Sequence, residues 1–383
     1  MAACESGRLS LPEGTRISHL ILNMGLGGAE TLVRAMALDL RSRGAAPNVI
    51  CLDAVTDGAL PLMRRGVPVE LIKRRPGPFD LQACLRVARR LKNIGSHVIH
   101  AHDMTSLSYA VAAGLWLRRP VIMTEHSRHF IEARGLRRLE KRLLCLGVSR
   151  LVDVSRILAR ASRKDGVSPG KITVIENGVD VERFRRAGGE RIRAELGLRA
   201  DVLLVGMAGR LEPIKGPRTL LAAFLEAFGA HEWAHLAFAG SGSLRSVLEE
   251  RARAAGAGER VHFLGARRDI PEIMAALDIV ALPSLSEGLP LALLEAMASG
   301  RAVAASAVGA VPEILGTRRG VLVASGDQGM LARALMRLAA DPARRARMGR
   351  AAFDFVSRRF SHEAMMDRYI AVYAQALTGK GPA

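Results

Sequence analysis

Residues 202–228 read VLLVGMAGRLEPIKGPRTLLAAFLEAF and combine an apolar strand, a loop with glycines and a helix. The run VLLVGM has the length of a buried strand, and the residues from 215 to 228 have the spacing of a core-facing helix. The stretch follows a charged segment, 178–201, that has no strand pattern. It therefore predicts that a second α/β unit starts here.

The same alternation of strands and helices runs along the rest of the chain. Strand-like runs before residue 178 begin with RISHLILNM (16–24) and NVICLD (48–53), and those after the charged segment include HLAFAG (235–240) and DIVALPS (278–284). Alternation of this kind is typical of βαβ units, so we predict the fold class α/β with two consecutive doubly wound parallel sheets. The 383 residues agree with two domains, because one core rarely exceeds about 300 residues. Ligands bind such sheets at the carboxyl ends of the strands, in a shared cleft if two sheets face each other.

The composition restricts the class of partner and the compartment. A formal net charge of +19 favours anionic partners, but with only 4% aromatic residues and no nucleic-acid-binding motif we expect no nucleic acid. The four cysteines have no metal-like or CxxC spacing, which suits a reducing cytoplasm. We also expect no secretion signal, because Glu5, Arg8 and Glu13 occupy the region that such a signal keeps apolar.

The first candidate site is GLGGAE, residues 25–30, directly after the first strand. Gly27 and Gly28 allow close approach to the backbone, and free N–H groups at the start of the following helix can hold an anion. The segment does not match the full G-x-G-x-x-G fingerprint of dinucleotide-binding proteins. A tight strand–helix turn without a ligand is the alternative interpretation.

The second candidate is the loop AGRLEPIKG, residues 208–216. Arg210 offers a planar fork of donors and Lys215 a compact charge, and together they suit a pyrophosphate group. Two solvated surface cations are the alternative, although their place after a strand favours a site.

The third candidate is SEGLPLALLEAMASG, residues 286–300, which carries two carboxylates eight positions apart. Pro290 suits the first helical position, so we predict a helix over about 290–299 with Glu287 in the preceding loop and Glu295 within the helix. An unpaired carboxylate in an apolar helix is costly to bury, so Glu295 requires a partner such as a pair of sugar hydroxyls. An exposed position on a half-buried helix is the alternative.

The histidines form the fourth group. His102 and His126 each end a strand-like run, whereas His100 fits the interior of its strand and is interpreted as structural. A metal site with Asp103 and Glu125 is possible by spacing, but no H-E-x-x-H or clustered ligand motif supports it.

These segments, in this order, resemble the retaining glycosyltransferases of the GT-B fold, specifically family 4, the glycosyl transferases group 1. The similarity spans about residues 25–315, and its most specific part is the E-x7-E pair within EGLPLALLEAMASG. The matching segments are GGAE, HAHD, TEH, KITVIENGVDVERF, GRLEPIKG, GSGSLR, LPSLSEGLPLALLEAMASG and VGAVPEIL. One departure is Ala310 in the last segment, where the family often has a second glycine.

The resemblance implies GT-B architecture: two Rossmann-like domains facing a central cleft. Residues 1–182 would be the acceptor-side domain, residues 183–360 the nucleotide-sugar domain, and a C-terminal helix within 361–383 would pack back on the first.

The resemblance also implies roles for individual residues. Arg210 and Lys215 would bind the donor diphosphate and neutralise the leaving group, and Glu295 would hold the ribose. Glu287 would contact the donor sugar, and His126 would lie near the reaction centre. The remaining predicted substrate-binding residues are Gly27, Gly28, His102, Asn177, Gly240, Gly288, Leu289 and Pro290.

The implied reaction moves a hexosyl or N-acetylhexosaminyl group, with retention of anomeric configuration, from a nucleotide sugar to a saccharide or lipid-linked acceptor. We expect the donor to be a UDP-sugar and the pathway to be polysaccharide or lipopolysaccharide synthesis. The resemblance implies neither a metal ion nor a cofactor besides the donor. Residues 116–144 hold eight Lys or Arg, three acidic residues and apolar side chains such as Trp116 and Phe130. This mixture suits an anionic membrane surface, and we expect a cytoplasmic protein with peripheral attachment to the inner face of the plasma membrane.

Two other classes of function stay open from the sequence. A GT-B epimerase would convert a UDP-sugar without an acceptor, and a phosphorylase, which requires more length, is disfavoured. A protein that binds nucleotide sugars or polyanions without turnover would use the same residues.

Overall fold

The computed structural model describes residues 9–77, 79–126 and 135–379. The chain divides into two compact units, one made of residues up to Asn177 together with those from Glu363 onward, the other of Gly178–His362. The second unit thus begins five residues before the predicted boundary of 182/183 and ends two residues after residue 360.

The first unit contains a seven-stranded parallel sheet in the order β3-β2-β1-β4-β5-β6-β7. The order in which strands are added changes direction between β1 and β4, although all strands are parallel. Ligands bind at this point in doubly wound folds. The strands are β1 (Arg16–Met24), β2 (Ala46–Val55), β3 (Val69–Leu71), β4 (Val98–Ala101), β5 (Val121–Glu125), β6 (Arg150–Asp153) and β7 (Ile172–Val174).

Six α-helices connect these strands within the described residues. They are α1 (Gly28–Ser42), α2 (Leu60–Arg64), α3 (Leu81–Ile94), α4 (Met104–Leu117), α5 (Gly135–Leu146) and α6 (Arg156–Lys164). In α3, Asp80 caps the first turn by accepting hydrogen bonds from two backbone N–H groups, and Gly95 ends the helix with φ +67°. Its buried side chains recur at helical spacing, and each large one, such as Leu91, contributes about 1.5–3 kcal/mol by burial.

The second unit contains a six-stranded parallel sheet in the order β10-β9-β8-β11-β12-β13. Its strands are β8 (Leu203–Ala208), β9 (Ala234–Ala239), β10 (Val261–Gly265), β11 (Ile279–Leu282), β12 (Ala302–Ser306) and β13 (Val321–Val323). Its helices are α7 (Val181–Arg185), α8 (Glu190–Glu195), α9 (Pro217–Phe228), α10 (Arg245–Ala254), α11 (Ile270–Ala276), α12 (Leu291–Ala298), α13 (Val311–Leu315), α14 (Gln328–Ala340) and α15 (Pro342–Arg359). The predicted pair of doubly wound parallel sheets is therefore confirmed.

The last helix, α16 (His362–Thr378), packs in the first unit. The Tyr373 hydroxyl lies 2.8 Å from Nδ1 of His100, and Asp367 forms an ion pair with Arg43 at 2.6 Å. These contacts explain why residues that are distant in sequence complete the first core.

Cys51, Cys84 and Cys145 are buried free thiols that pack as small apolar side chains, and Cys4 lies outside the described residues. Among the described helices, none is long and apolar enough to cross a bilayer.

Candidate functional site

The central feature of the second unit is an ion pair between Lys215 and Glu287. Lys215 Nζ donates to Glu287 Oε1 at 2.7 Å, and Glu287 is only 7% exposed. The two residues follow β8 and β11, which are neighbours at the point where the strand order reverses. The sheet topology thus brings together two residues that are 72 positions apart.

The loops that carry this pair are held against each other by the backbone. The N–H of Leu285 donates to the carbonyl of Ile214 at 2.8 Å. Gly216 adopts φ +68°, and a Cβ atom at this position would lie 2.1 Å from the carbonyl oxygen of Pro283. A glycine is therefore required directly after Lys215, because both the backbone conformation and the close approach exclude a side chain.

Glu295 lies in the second turn of α12, as predicted, but the helix is shorter than expected. Pro290 is the N-cap of the helix and not its first residue, because its ψ of 125° is extended rather than helical. Burial raises the pKa of Glu295 to about 7, and the charge of Arg183 lowers it only in part. Among the described residues only the charge of Arg183 acts on the Glu295 carboxylate, without a hydrogen bond, so the carboxylate can accept hydrogen bonds from a ligand.

The loop between the two glutamates is buried and braced by the turn after β12. Gly288, Leu289 and Pro290 are all buried, and the N–H of Ala310 donates to the carbonyl of Gly288 at 3.0 Å. Ala310 has φ −78° and ψ −5°, a conformation open to any residue. The departure from the family pattern at this position therefore requires no change of backbone.

Arg210 and Gly240 lie at the carboxyl ends of the neighbouring strands β8 and β9. Arg210 is exposed and forms no ion pair with the residues that the structure describes, since the nearby Glu212 binds the N–H and hydroxyl of Ser243. A Cβ atom on Gly240 would lie 1.9 Å from the carbonyl oxygen of Gly209. Gly240 thus makes room for the backbone that presents Arg210.

In the first unit, the glycine segment after β1 opens α1. Gly27 is the N-cap and Gly28 the first helical residue. A Cβ atom on Gly27 would lie 2.4 Å from the carboxylate of Glu30. The Glu30 carboxylate therefore lies against this turn, and the predicted contact of Gly27 and Gly28 with phosphate stays a prediction.

His102 and His126 are joined in a chain of imidazoles that includes His19. His19 Nδ1 lies 2.9 Å from His102 Nε2, and His102 Nδ1 lies 3.2 Å from His126 Nε2. Burial lowers the pKa of His19 to about 3 and that of His126 to about 4, so the rings are neutral at physiological pH. Both ring nitrogens of His102 lie within hydrogen-bond distance of another histidine. The chain of imidazoles therefore orients His126.

The structure does not assemble the metal site that was considered from the sequence. Asp103 caps α4 through the N–H of Ser106 at 2.7 Å, and Glu125 pairs with the buried Lys141. A different trio, His19, His100 and His102, has ring nitrogens within 4.8 Å of one another. However, the nitrogens of His100 already contact Tyr373 and Thr124, and those of His102 contact other histidines.

Two elements of the site were not found from the sequence. The ion pair between Lys215 and Glu287 depends on strand order, which a linear pattern does not fix. His19 lies in the middle of the first strand, where a buried histidine looks like any core position; its only signal is a polar ring within an apolar run.

Asn177 is buried at the end of the first unit, and its predicted contact with substrate stays a prediction.

Comparison with protein families matches two models. Residues 26–183 match "Glycosyltransferase Family 4", and residues 189–355 match "Glycosyl transferases group 1". The D-inositol 3-phosphate glycosyltransferase of Mycobacterium ulcerans is 30% identical over 385 residues, which cover 92% of this chain and 82% of the relative. That of Segniliparus rotundus is 30% identical, with 92% and 85% covered.

Solved structures share the fold at lower identity. Anabaena Alr3699/HepE in complex with UDP-glucose superposes with a TM-score of 0.82 at 24% identity, covering 94% of this chain and 99% of the other. WaaG, a glycosyltransferase involved in lipopolysaccharide biosynthesis, gives a TM-score of 0.74 at 16% identity, covering 93% and 99%. The chain folds into two Rossmann-like units, matches both family models and has relatives along nearly its whole length. It therefore belongs to the glycosyltransferases of family 4, the glycosyl transferases group 1, which have the GT-B fold.

Proposed function

We propose that this glycosyltransferase moves a hexosyl or N-acetylhexosaminyl group, with retention of anomeric configuration, from a UDP-sugar to a saccharide or lipid-linked acceptor in cell-surface polysaccharide or lipopolysaccharide synthesis. The choice of nucleotide is supported by the structural neighbour that holds UDP-glucose. The pathway is supported by the structural neighbour WaaG, which is involved in lipopolysaccharide biosynthesis.

The observation that carries the proposal is the group of charged residues at the carboxyl edge of the second sheet. Arg210 and Lys215 supply positive charge for the donor diphosphate. Glu287 holds Lys215 at 2.7 Å and keeps a second carboxylate oxygen for hydroxyls of the donor sugar. Glu295, which no described residue contacts by a hydrogen bond, accepts hydrogen bonds from the ribose.

The proposed step breaks the bond between the anomeric carbon and the diphosphate oxygen. The acceptor oxygen forms its bond to that carbon on the same face, and the acceptor proton passes to the departing diphosphate oxygen. His126, oriented by His102, contacts the donor sugar, and the turn at Gly27 and Gly28 contacts phosphate. Because the two cations neutralise the leaving group, the reaction requires no metal ion, and turnover should persist in EDTA.

Incubation with UDP-sugars tests the proposal directly. Slow release of UDP without an acceptor is expected, and Lys215→Ala and Glu287→Ala should each abolish it. Arg251→Ala is the matched control, because it removes an exposed cation of α10 that is ion-paired to no described residue. An isomerised sugar would indicate an epimerase, an unchanged bound ligand would indicate a binding protein, and full activity of either variant would refute the site.

We also propose that the first unit contacts an anionic membrane surface through α5. Leu136, Leu139, Leu143 and Leu146 of this helix are 84%, 51%, 56% and 71% exposed. At 100° per residue they fall within an arc of about 80°, so they form one apolar stripe. Residues 127–134 of the predicted membrane segment lie outside the described residues.

The surroundings of this leucine stripe favour lipid over water. The exposed residues between the leucines include Arg137, Arg138 and Arg142, which suit anionic headgroups. Leu115 and Trp116, at the end of the neighbouring α4, are also exposed. The opposite face of α5 is anchored in the protein by the buried Lys141 and Cys145.

Co-sedimentation with vesicles tests this surface. The protein should bind vesicles of phosphatidylglycerol at low salt and release them as the salt concentration rises. Leu139→Glu/Leu143→Glu should abolish binding, whereas Val247→Glu, an equally apolar exposed position on α10 of the second unit, should not. Absence of binding by the wild-type protein would refute the proposal.

A further inference from the structure

A cavity of about 620 Å³ in the first unit has no role in the proposed glycosyl transfer. It lies between the segment that follows β3 and one face of α3. Of the eight lining residues that the structure describes, none is acidic and five are cations: Lys73, Arg74, Arg75, Arg86 and Arg89. Its volume is within the range of ligand-binding pockets.

Most of this positive charge is not neutralised by the protein. Arg74 pairs with Asp53, with Nε 2.8 Å from Oδ1. The other four cations are exposed, and the described parts of the chain offer none of them an ion pair. Four like charges around one cavity repel each other, and a bound anion would remove that repulsion.

The contrast with Arg90 shows that neutralisation is available on the same helix. Arg90 lies next to Arg89 in the sequence and forms a two-point ion pair with Glu70. The cation that points away from the cavity is therefore paired, and its neighbour at the cavity is left with its donors unused. The cavity wall is also ordered, because Arg86 Nη2 donates to the carbonyl of Lys73 at 2.7 Å.

The chemistry of the lining selects a phosphate group. Guanidinium groups present planar pairs of donors that match phosphate oxygens, and a lysine adds a compact charge. No aromatic ring is among the lining residues, so stacking of a nucleobase is not provided for. The N–H groups of the first turn of α3 are already bound by Asp80, and the side chains carry the recognition.

The place of the cavity in the sheet indicates how large the ligand is. The cavity follows β3, at the edge of the sheet, whereas His126 follows β5, four strand spacings away. At about 4.8 Å per spacing, this separation is roughly 19 Å. A phosphate on the accepting sugar itself is too close to its hydroxyls to span that distance.

We propose that this cavity is a subsite for the phosphate of an acceptor that is longer than one sugar, such as a saccharide joined through phosphate to a lipid or ending in a free phosphate. The inference rests on the proposed function, because it takes His126 to mark the point of transfer. The anion site itself can be measured without any turnover.

Binding of inorganic pyrophosphate, followed by calorimetry at low salt, is the test. The titrations use the Arg210→Ala/Lys215→Ala background, so that the second unit does not contribute. Adding Arg75→Gln/Arg89→Gln should weaken binding about tenfold or more, because two charged hydrogen-bonding groups are lost. Lys92→Gln, which removes an exposed cation of α3 outside the cavity, should leave the affinity unchanged.

Two water-soluble ligands, titrated in the same way, distinguish the two sources of phosphate: short-chain phosphatidylglycerol below its micellar concentration, and glucose 1-phosphate. If Arg75→Gln/Arg89→Gln weakens binding of the phosphatidylglycerol, the subsite holds a lipid phosphate. If it weakens binding of glucose 1-phosphate alone, the subsite holds a free phosphate-bearing saccharide. Equal pyrophosphate affinity with and without the two substitutions would overturn the subsite and leave the UDP-sugar chemistry untouched.

Discussion

At the scale of single residues, Glu295 combines a cost in stability with a proposed role in binding. Its pKa in the folded protein is about 7, above the 4.5 of an unperturbed glutamate, because burial disfavours the charge. The folded state is therefore penalised as the pH rises from about 4.5 to 7, and the penalty is complete above pH 7.

Glu295→Gln should therefore raise stability and reduce ligand binding together. At pH 8 we expect the variant to be more stable by up to about 3 kcal/mol, with no difference at pH 4, where the carboxyl is neutral in both states. Affinity for UDP should fall about tenfold, because a charged acceptor is lost. Urea unfolding and calorimetry measure the two effects.

The exposed Glu250 of α10 provides the control for this substitution. Glu250→Gln should change neither quantity at either pH. If Glu295→Gln destabilises the protein at pH 8, the carboxylate has a partner when folded, and the burial argument fails.

At the scale of elements, the strands were predictable because apolar runs between polar turns mark a buried parallel sheet. β1 was predicted at residues 16–24 and occupies Arg16–Met24. Ends set by three-dimensional packing were less accurate, as for α12, where Pro290 stays extended. The Lys215–Glu287 pair was not predicted, because it requires β8 and β11 to be neighbours, and a linear pattern does not specify this for residues 72 positions apart.

The loop between β8 and α9 makes an element-scale prediction. Gly216→Ala should destabilise the second unit by more than about 1 kcal/mol, because a positive φ and a 2.1 Å approach to Pro283 both oppose a side chain. It should also weaken UDP binding, since Lys215 is the preceding residue. Urea unfolding and UDP titration check the two parts.

Gly197→Ala separates the two causes. Gly197 has a similar φ of +64°, but a Cβ atom there would meet nothing within 4 Å. Only the conformational cost of about 1 kcal/mol should appear, with UDP binding unchanged. Equal losses for both glycines would show that the contact with Pro283 does not hold the loop.

At the scale of the whole molecule, the two units differ in the number of histidines that they bury. The first unit holds five imidazoles whose pKa burial lowers: His19, His97, His100, His102 and His126. The second has a smaller set, His235 and His262, whose pKa values are also lowered. One carboxyl with a pKa raised to about 7 lies in each unit, Asp153 and Glu295, and because the two effects have the same sign they largely cancel in a comparison of the units. Burial also raises the pKa of Asp103 in the first unit, which offsets part of the effect of its histidines.

Acid should therefore destabilise the first unit more than the second. A histidine with a lowered folded pKa binds its proton only when unfolded, so stability is lost as the pH falls below 6.5, by up to about 2 kcal/mol per histidine at pH 5. The chain has two tryptophans, Trp116 in the first unit and Trp233 in the second. In the Trp233→Phe variant the fluorescence of Trp116 reports the first unit, and in the Trp116→Phe variant the fluorescence of Trp233 reports the second. Between pH 7.5 and 5, the urea midpoint reported by Trp116 should fall further than that reported by Trp233. A larger shift for Trp233, or no shift for Trp116, would mean that the histidine chain of the first unit is not held neutral by burial.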